Sequence, residues 1–101
     1  MNRLDQLHQF LQEEPGDPFN LYALALEYQK TDKIKAKELF DQLLKQHETY
    51  IPAYYHAGVL YMELNKNDRA QEIFETGIAE AKKQNETKTM RELQTLLDEL
   101  I

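Results

Sequence analysis

The side chains able to do chemistry in this chain are few and scattered. Three histidines, His8, His47 and His56, show neither a His-Glu-x-x-His pattern nor i, i+4 spacing, so they do not make the same-face pair that a zinc ion takes on a helix. Cysteine and serine are both absent, which removes disulfides, thiolate metal sites, iron–sulfur ligation and two common nucleophiles. Gly16, Gly58 and Gly77 stand alone, and none begins a Gly-rich turn that cradles phosphate before a helix. The 18 Asp and Glu residues include no pair set apart for acid–base work. No catalytic residue, metal or cofactor is expected, and the chain is not read as an enzyme.

The chemistry that does stand out belongs to recognition. Six tyrosines, Tyr22, Tyr28, Tyr50, Tyr54, Tyr55 and Tyr61, give an aromatic supply with a hydroxyl handle and low rotamer cost. Lys30, Lys33, Lys35 and Lys37 form a local basic run, and Lys82, Lys83 and Lys88 a thinner one. Asp32, Glu38 and Asp41 are interleaved with the first, which reads as a solvated turn. Twelve Lys and Arg against 18 acids leave a formal charge of −6, so a nucleic-acid partner is not expected. The opening residues, Met1 to Gln6, carry no basic leader followed by an apolar core. No stretch approaches the ~20 apolar residues that span a bilayer, so no membrane partner is expected and the cytoplasm is the expected location.

These side chains must be positioned by helices. In 101 residues there are only three Gly and three Pro, against 42% apolar residues and many Leu, Glu, Lys, Gln and Ala, which points to a single all-α domain. Breaks at 15–18, 31–32, 51–52, 65–68 and 84–87 divide the chain into six helical segments. Pro18 and Pro52 suit a first helical position, where a missing N–H costs nothing, and Asp17 can cap the helix that Pro18 begins. Asp32, and Asn67 or Asp68, are the expected caps of the next starts. The last helix opens at Asn85, at Thr87, or at Thr89 with Glu92 as a capping box. Apolar residues recur at helical spacing throughout, as in Leu4, Leu7, Phe10 and Leu11, or Met90, Leu93, Leu97 and Leu100. Links this short require neighbouring helices to pair antiparallel.

Two stretches repeat. Leu21-x-x-Leu24-Ala25-x-x-Tyr28, followed by Ala36-x-x-x-Phe40, matches Tyr54-x-x-Ala57-Gly58-x-x-Tyr61, followed by Ala70-x-x-x-Phe74. The offset is 33 residues between Tyr28 and Tyr61 and 34 between Phe40 and Phe74, so the second copy carries one extra residue in its turn. Ala25 and Gly58 let a second helix come close, Ala36 and Ala70 do the same from the other side, and Phe40 and Phe74 fill the remaining space. This order and spacing resembles the tetratricopeptide repeat, a helix–turn–helix of roughly 34 residues. The resemblance implies a short right-handed α-solenoid of antiparallel helix pairs. A half-repeat helix would cover residues 2–14, full repeats 18–50 and 51–84, and a C-terminal capping helix 86–101. Leu21 stands in place of the usual Trp, Phe10 and Gly77 stand where Ala is commoner, and neither full repeat closes with the expected proline.

Tyr28, Tyr54 and Tyr61 fall on packing positions of the repeat, whereas Tyr22 and Tyr55 each lie one residue, about 100°, beyond one. In the family this face of each first helix lines a concave, ligand-holding groove. The resemblance therefore implies a largely apolar groove of Tyr22, Leu26, Tyr55, Val59 and Met62, with Gln29 and Glu63 orienting a ligand at its rim. The carboxylate clamp that many such proteins use on chaperone tails is not carried over: Tyr22, Leu26 and His56 occupy the positions where its Lys and Asn residues belong. The expected function is a non-enzymatic protein–protein interaction module, an adaptor or scaffold binding a peptide or helix of a partner. The alternative is a self-association module whose solenoid ends or groove form a homo-oligomer such as a homodimer.

Overall fold

A computed structural model describes residues 2–101 and shows, among them, six helices and no strand. These are α1 (Arg3–Glu13), α2 (Pro18–Gln29), α3 (Lys33–Gln46), α4 (Pro52–Glu63), α5 (Asn67–Lys83) and α6 (Thr87–Leu100). They fall into two compact units, one ending at His47 and one running from Glu48. Local chemistry sets several of the starts. The Asp17 carboxylate accepts from the Phe19 N–H at 3.0 Å and Pro18 follows it as a first-turn residue of α2. Asp32 accepts from the Lys35 N–H at 3.1 Å, and Asn2 does the same for α1 through the Asp5 N–H at 2.8 Å. Pro52 opens α4 behind Ile51, which supplies no side-chain cap.

In the first unit α2 packs against both α1 and α3. Its core joins Leu7 of α1, Leu21, Leu24 and Ala25 of α2, and Ala36, Leu39, Phe40 and Leu43 of α3. Two polar ties hold α1 to α2. Asn20 donates from Nδ2 to the Phe10 and Glu14 carbonyls at 3.2 and 3.0 Å, fastening the turn between the helices. His8 Nε2 lies 2.8 Å from the Tyr28 hydroxyl, with the rings edge to face at 5.8 Å. Tyr28 is therefore a half-buried tie between helices, while Tyr54 and Tyr61 are fully enclosed.

In the second unit α5 packs against α4 and α6, and α6 also touches α4. Close approach depends on two glycines. A Cβ built on Gly58 falls closer than 3.0 Å to three atoms of the Phe74 ring, and one built on Gly77 falls 2.7 Å from Tyr54 Cβ and 2.9 Å from Leu93 Cδ1. Gly77 thus gives α4 and α6 a common seat on α5. The Tyr54 hydroxyl donates to the Glu48 carbonyl. Burial, with the charges of Glu80 and Glu48 adding to it, raises this phenol above its ordinary pKa. Gln84 Nε2 reaches the Thr49 carbonyl at 2.9 Å and ties the end of α5 to the segment before α4. Arg69 lies over the Tyr61 ring at 5.8 Å.

One expected cap and one expected capping box are corrected. Neither Asn67 nor Asp68 caps α5, because its N-cap is Lys66, without a side-chain hydrogen bond. The Thr89–Glu92 box does not form, and α6 begins at Thr87 behind Glu86. The reason is the same at both places. Asn65 and Asn85 adopt left-handed backbone, φ 60° and 59°. Lys66 N–H then returns to the Tyr61 carbonyl at 2.9 Å and Asn65 N–H to Met62 at 2.9 Å; Glu86 and Asn85 repeat this on Ala81 and Lys82 at 2.8 and 3.2 Å. Each link is a Schellman closure of the preceding helix, and its last residue serves at once as the N-cap of the next. The first repeat turns differently: Thr31 and Asp32 N–H groups both return to the Tyr28 carbonyl, at 2.9 and 2.7 Å, and no residue there has positive φ. Four residues separate Tyr61 from the cap Lys66 and three separate Tyr28 from Asp32, so the extra residue of the second copy is spent on the left-handed turn.

Candidate functional site

The expected site residues lie on two helices, one in each unit. On α2, Tyr22, Leu26 and Gln29 are half-buried. Tyr22 and Leu26 line a cleft of about 300 Å³, in which Phe19 and Ala23 continue the apolar wall and Arg3, Glu27 and Lys30 supply charge. Gln29 does not line it. The open stripe of α2 is thus Phe19, Tyr22, Ala23, Leu26 and Lys30, at i, i+3, i+4, i+7 and i+11, turned toward α1 from the Tyr22–Leu26–Gln29 line. Phe19 is 55% exposed, and its ring lies 6.2 Å from that of Tyr22 at a 52° tilt. Lys30 pairs with Glu27 at 3.1 Å. Burial pushes the Tyr22 phenol above its ordinary pKa, so the hydroxyl stays a neutral donor and acceptor.

Sequence reasoning missed Arg3 and Phe19, and only Phe19 had a signal that could have found it. Extending the Tyr22 stripe back by one turn reaches Phe19. Arg3 comes from another helix, whose first turn lies beside the last turn of α2, so only the pairing of the two helices brings it in.

On α4, Tyr55, Val59 and Met62 follow i, i+4, i+7 spacing and Glu63 lies at the helix end. Tyr55 is 37% exposed, Val59 and Met62 are half-buried, and Glu63 is exposed. The Tyr55 ring meets that of His56 edge to face, centroids 5.3 Å apart. Burial lowers the His56 pKa below the ordinary histidine range, so the imidazole is held neutral. A more polar hollow of about 330 Å³ lies in the same unit between Thr49–Pro52 and the Gln84–Thr89 link.

Three of the four lysines of the first basic run are drawn into local pairs: Lys30 with Glu27, Lys35 with Glu38 at 3.9 Å, and Lys37 with Asp41 at 3.4 Å. That is the solvated, interleaved turn the sequence suggested, with little positive charge left over. Among the described residues no group of three His, Asp or Glu side chains is placed to hold a metal ion. No helix among them is long and apolar enough to cross a membrane.

Paired antiparallel helices with a small residue opposite a buried Phe, repeated once, define a helical-repeat protein of the tetratricopeptide class. The profile of the tetratricopeptide repeat family matches residues 31–93, and the chain belongs to that family. Two solved structures from Salinibacter ruber, both of a tetratricopeptide repeat domain protein, are similar to it. The solution structure is 37% identical with a TM-score of 0.81, covering 85% of this chain and 88% of that one. The crystal structure is 35% identical with a TM-score of 0.79, covering 83% and 96%. A Bordetella parapertussis protein of known solution structure shares the fold at 20% identity, TM-score 0.82, covering 99% of this chain and 88% of that one. No curated protein gives a significant match. The fold class is therefore all-α and tetratricopeptide-like, and its general role is that of a protein–protein interaction module.

Proposed function

We propose that this chain is a non-enzymatic adaptor that binds a peptide or helix of a partner protein on the outward stripes of its two repeat-opening helices. Tyr22, Leu26 and Gln29 act on α2, and Tyr55, Val59, Met62 and Glu63 on α4. The observation that carries this reading is the aromatic-walled cleft at Tyr22 and Leu26, a concave apolar surface with a polar edge. Elsewhere the polar demands are met: no buried side-chain nitrogen or oxygen of the described residues lacks a hydrogen-bond partner. Phe19 and Tyr55 add exposed aromatic area to these two helices, a surface that gains from being covered. Tyrosine gives such a surface contact area at low entropic cost, and Met62 gives it adaptability.

The division into a half repeat at 2–14, repeats at 18–50 and 51–84, and a capping helix at 86–101 accompanies this reading. Met90, Leu93 and Leu97 of α6 follow the spacing of Leu21, Leu24 and Tyr28. Gln94 then falls at the place of Ala25 and Gly58, and it is exposed. A long polar side chain there denies a following helix the close seat that Phe40 and Phe74 require, which suits a cap.

The test is affinity capture from native lysate with the wild-type chain and with Tyr22→Ala/Tyr55→Ala. Captured proteins lost from the double variant, at an unchanged thermal melt, are the expected result. Capture that ignores the substitutions would sink the reading. A concentration-dependent dimer in sedimentation that the substitutions abolish would transfer these faces to self-association.

A further inference from the structure

We infer that the cleft between α1 and α2 takes an acidic, apolar segment of a partner protein, an aliphatic or aromatic side chain seating against Phe19, Tyr22 and Leu26 and an Asp or Glu carboxylate lying toward Arg3 and Lys30. This rests on the binding role proposed above and narrows the partner. Three observations lead to it. First, the cleft has unlike ends. Phe19 to Lys30 is eleven positions of helix, about 16 Å, which roughly five residues of extended chain would span. One end is aromatic and the other cationic.

Second, the local charge opposes that of the whole. The protein carries −6, yet the cleft lining holds Arg3 and Lys30 against the single acid Glu27. Glu27 is engaged with Lys30 at 3.1 Å. Arg3 has no ion pair among the described residues and is exposed, so its guanidinium is available to accept a carboxylate in a two-pronged contact. With Lys30 paired to Glu27, a basic segment would meet the unpaired positive charge of Arg3 there, whereas an acidic one would be drawn to it.

Third, the cationic end is not repeated on α4. At the 33-residue offset of the repeat, Lys30 corresponds to Glu63, so the stripe of α4 ends in the opposite charge. The acidic preference is therefore a property of the first unit and not of repeat-opening helices in general.

The experiment pans a random displayed-peptide library on the immobilised wild-type chain, and on Arg3→Glu and Tyr22→Ala. Enriched peptides are then resynthesised with both ends blocked and measured by fluorescence anisotropy. The expected wild-type selection places Asp or Glu within about five residues of Leu, Phe or Trp. Replacing those acids by Asn or Gln should weaken binding about two- to fivefold at low salt, with the difference shrinking at about 0.5 M salt. Arg3→Glu should abolish the acidic preference without lowering the melting temperature, because a carboxylate in the first turn of α1 is favoured by the helix dipole. Tyr22→Ala should lose the peptides altogether. Apolar peptides enriched with no acidic bias, or a bias that survives Arg3→Glu, overturn the acidic partner and leave the binding role standing. Peptides indifferent to Tyr22→Ala place binding outside this cleft and overturn it too. No enrichment over a blank surface overturns the binding role and this inference with it.

Discussion

A methyl group at Gly58 enters space already occupied. Its carbon would lie closer than 3.0 Å to three atoms of the Phe74 ring, and that ring has no solvent exposure into which to retreat. On an open helix face, replacing Gly by Ala gains about 1 kcal/mol of helix propensity. Here α4 and α5 must separate or Phe74 must leave its rotamer, and overpacking of this kind costs about 1–3 kcal/mol. The two effects leave Gly58→Ala between neutral and a loss of about 2 kcal/mol, with Gly58→Leu lower still. For a chain of this length a loss of 1 kcal/mol lowers Tm by about 4–8 °C. Gly16 is the internal control: it lies in an exposed turn, lacks positive φ, and has nothing within 4 Å of an added Cβ. Gly16→Ala should gain about 0.4–1 kcal/mol through the unfolded state alone. Thermal and urea melts of both variants, and of Gly58→Ala/Phe74→Leu, separate the effects. The double variant should be less damaged than the two single losses added together, because a smaller side chain at 74 relieves the clash. If Gly58→Ala melts with Gly16→Ala, above wild type, close helix pairing is not what the glycine serves.

Two further outcomes follow from the backbone and from burial. Asn65→Ala and Asn85→Ala should each cost about 1–2 kcal/mol in urea unfolding, the left-handed penalty of an L-residue, whereas Gly at either position should be neutral or better; equal behaviour of Ala and Gly would remove the Schellman reading. At His56 the folded pKa lies below the unfolded value of about 6.5, since burial disfavours the charged ring. Its contribution is full above that value and is lost as pH falls through the folded pKa, because the unfolded chain takes the proton first. Stability measured from pH 7.5 downward should therefore fall faster for wild type than for His56→Gln, and parallel curves would contradict it.

What the sequence disclosed followed the range of the interactions involved. Asp17, Asp32, Pro18 and Pro52 act on the turn next to them, so their roles as helix starts are local chemistry and visible in the chain. The cap of α5 is misread from sequence, and the start of α6 stays open there among three positions, one of them the observed Thr87, because the preceding helix decides both. Once Asn65 or Asn85 turns left-handed, the closing backbone bonds leave Lys66 or Glu86 at the next N-cap whatever its side chain. In the site, Tyr22 and Leu26 were legible from helical spacing, and Gln29, which continues that spacing, lies outside the lining of the cleft. Arg3 depends on which turn of α1 lies beside α2, a tertiary fact that no single-helix pattern contains.

The internal repeat separates what packing demands from what it leaves open. At corresponding buried positions the residues differ in size but compensate: Leu21 and Leu43 in the first repeat answer to Tyr54 and Gly77 in the second. The larger Tyr54 is tolerated because Gly77 has no Cβ to oppose it at 2.7 Å. A close-packed interior couples such choices, since added volume at one wall must be removed at the other. Outward positions carry no such bond between partners. Phe19 answers to Pro52, Leu26 to Val59 and Lys30 to Glu63 under the same offset, changing bulk and charge. Two hairpins built to one packing rule thus present chemically different faces, and any discrimination between partners must arise from those outward residues because the buried ones are already committed to holding helix on helix.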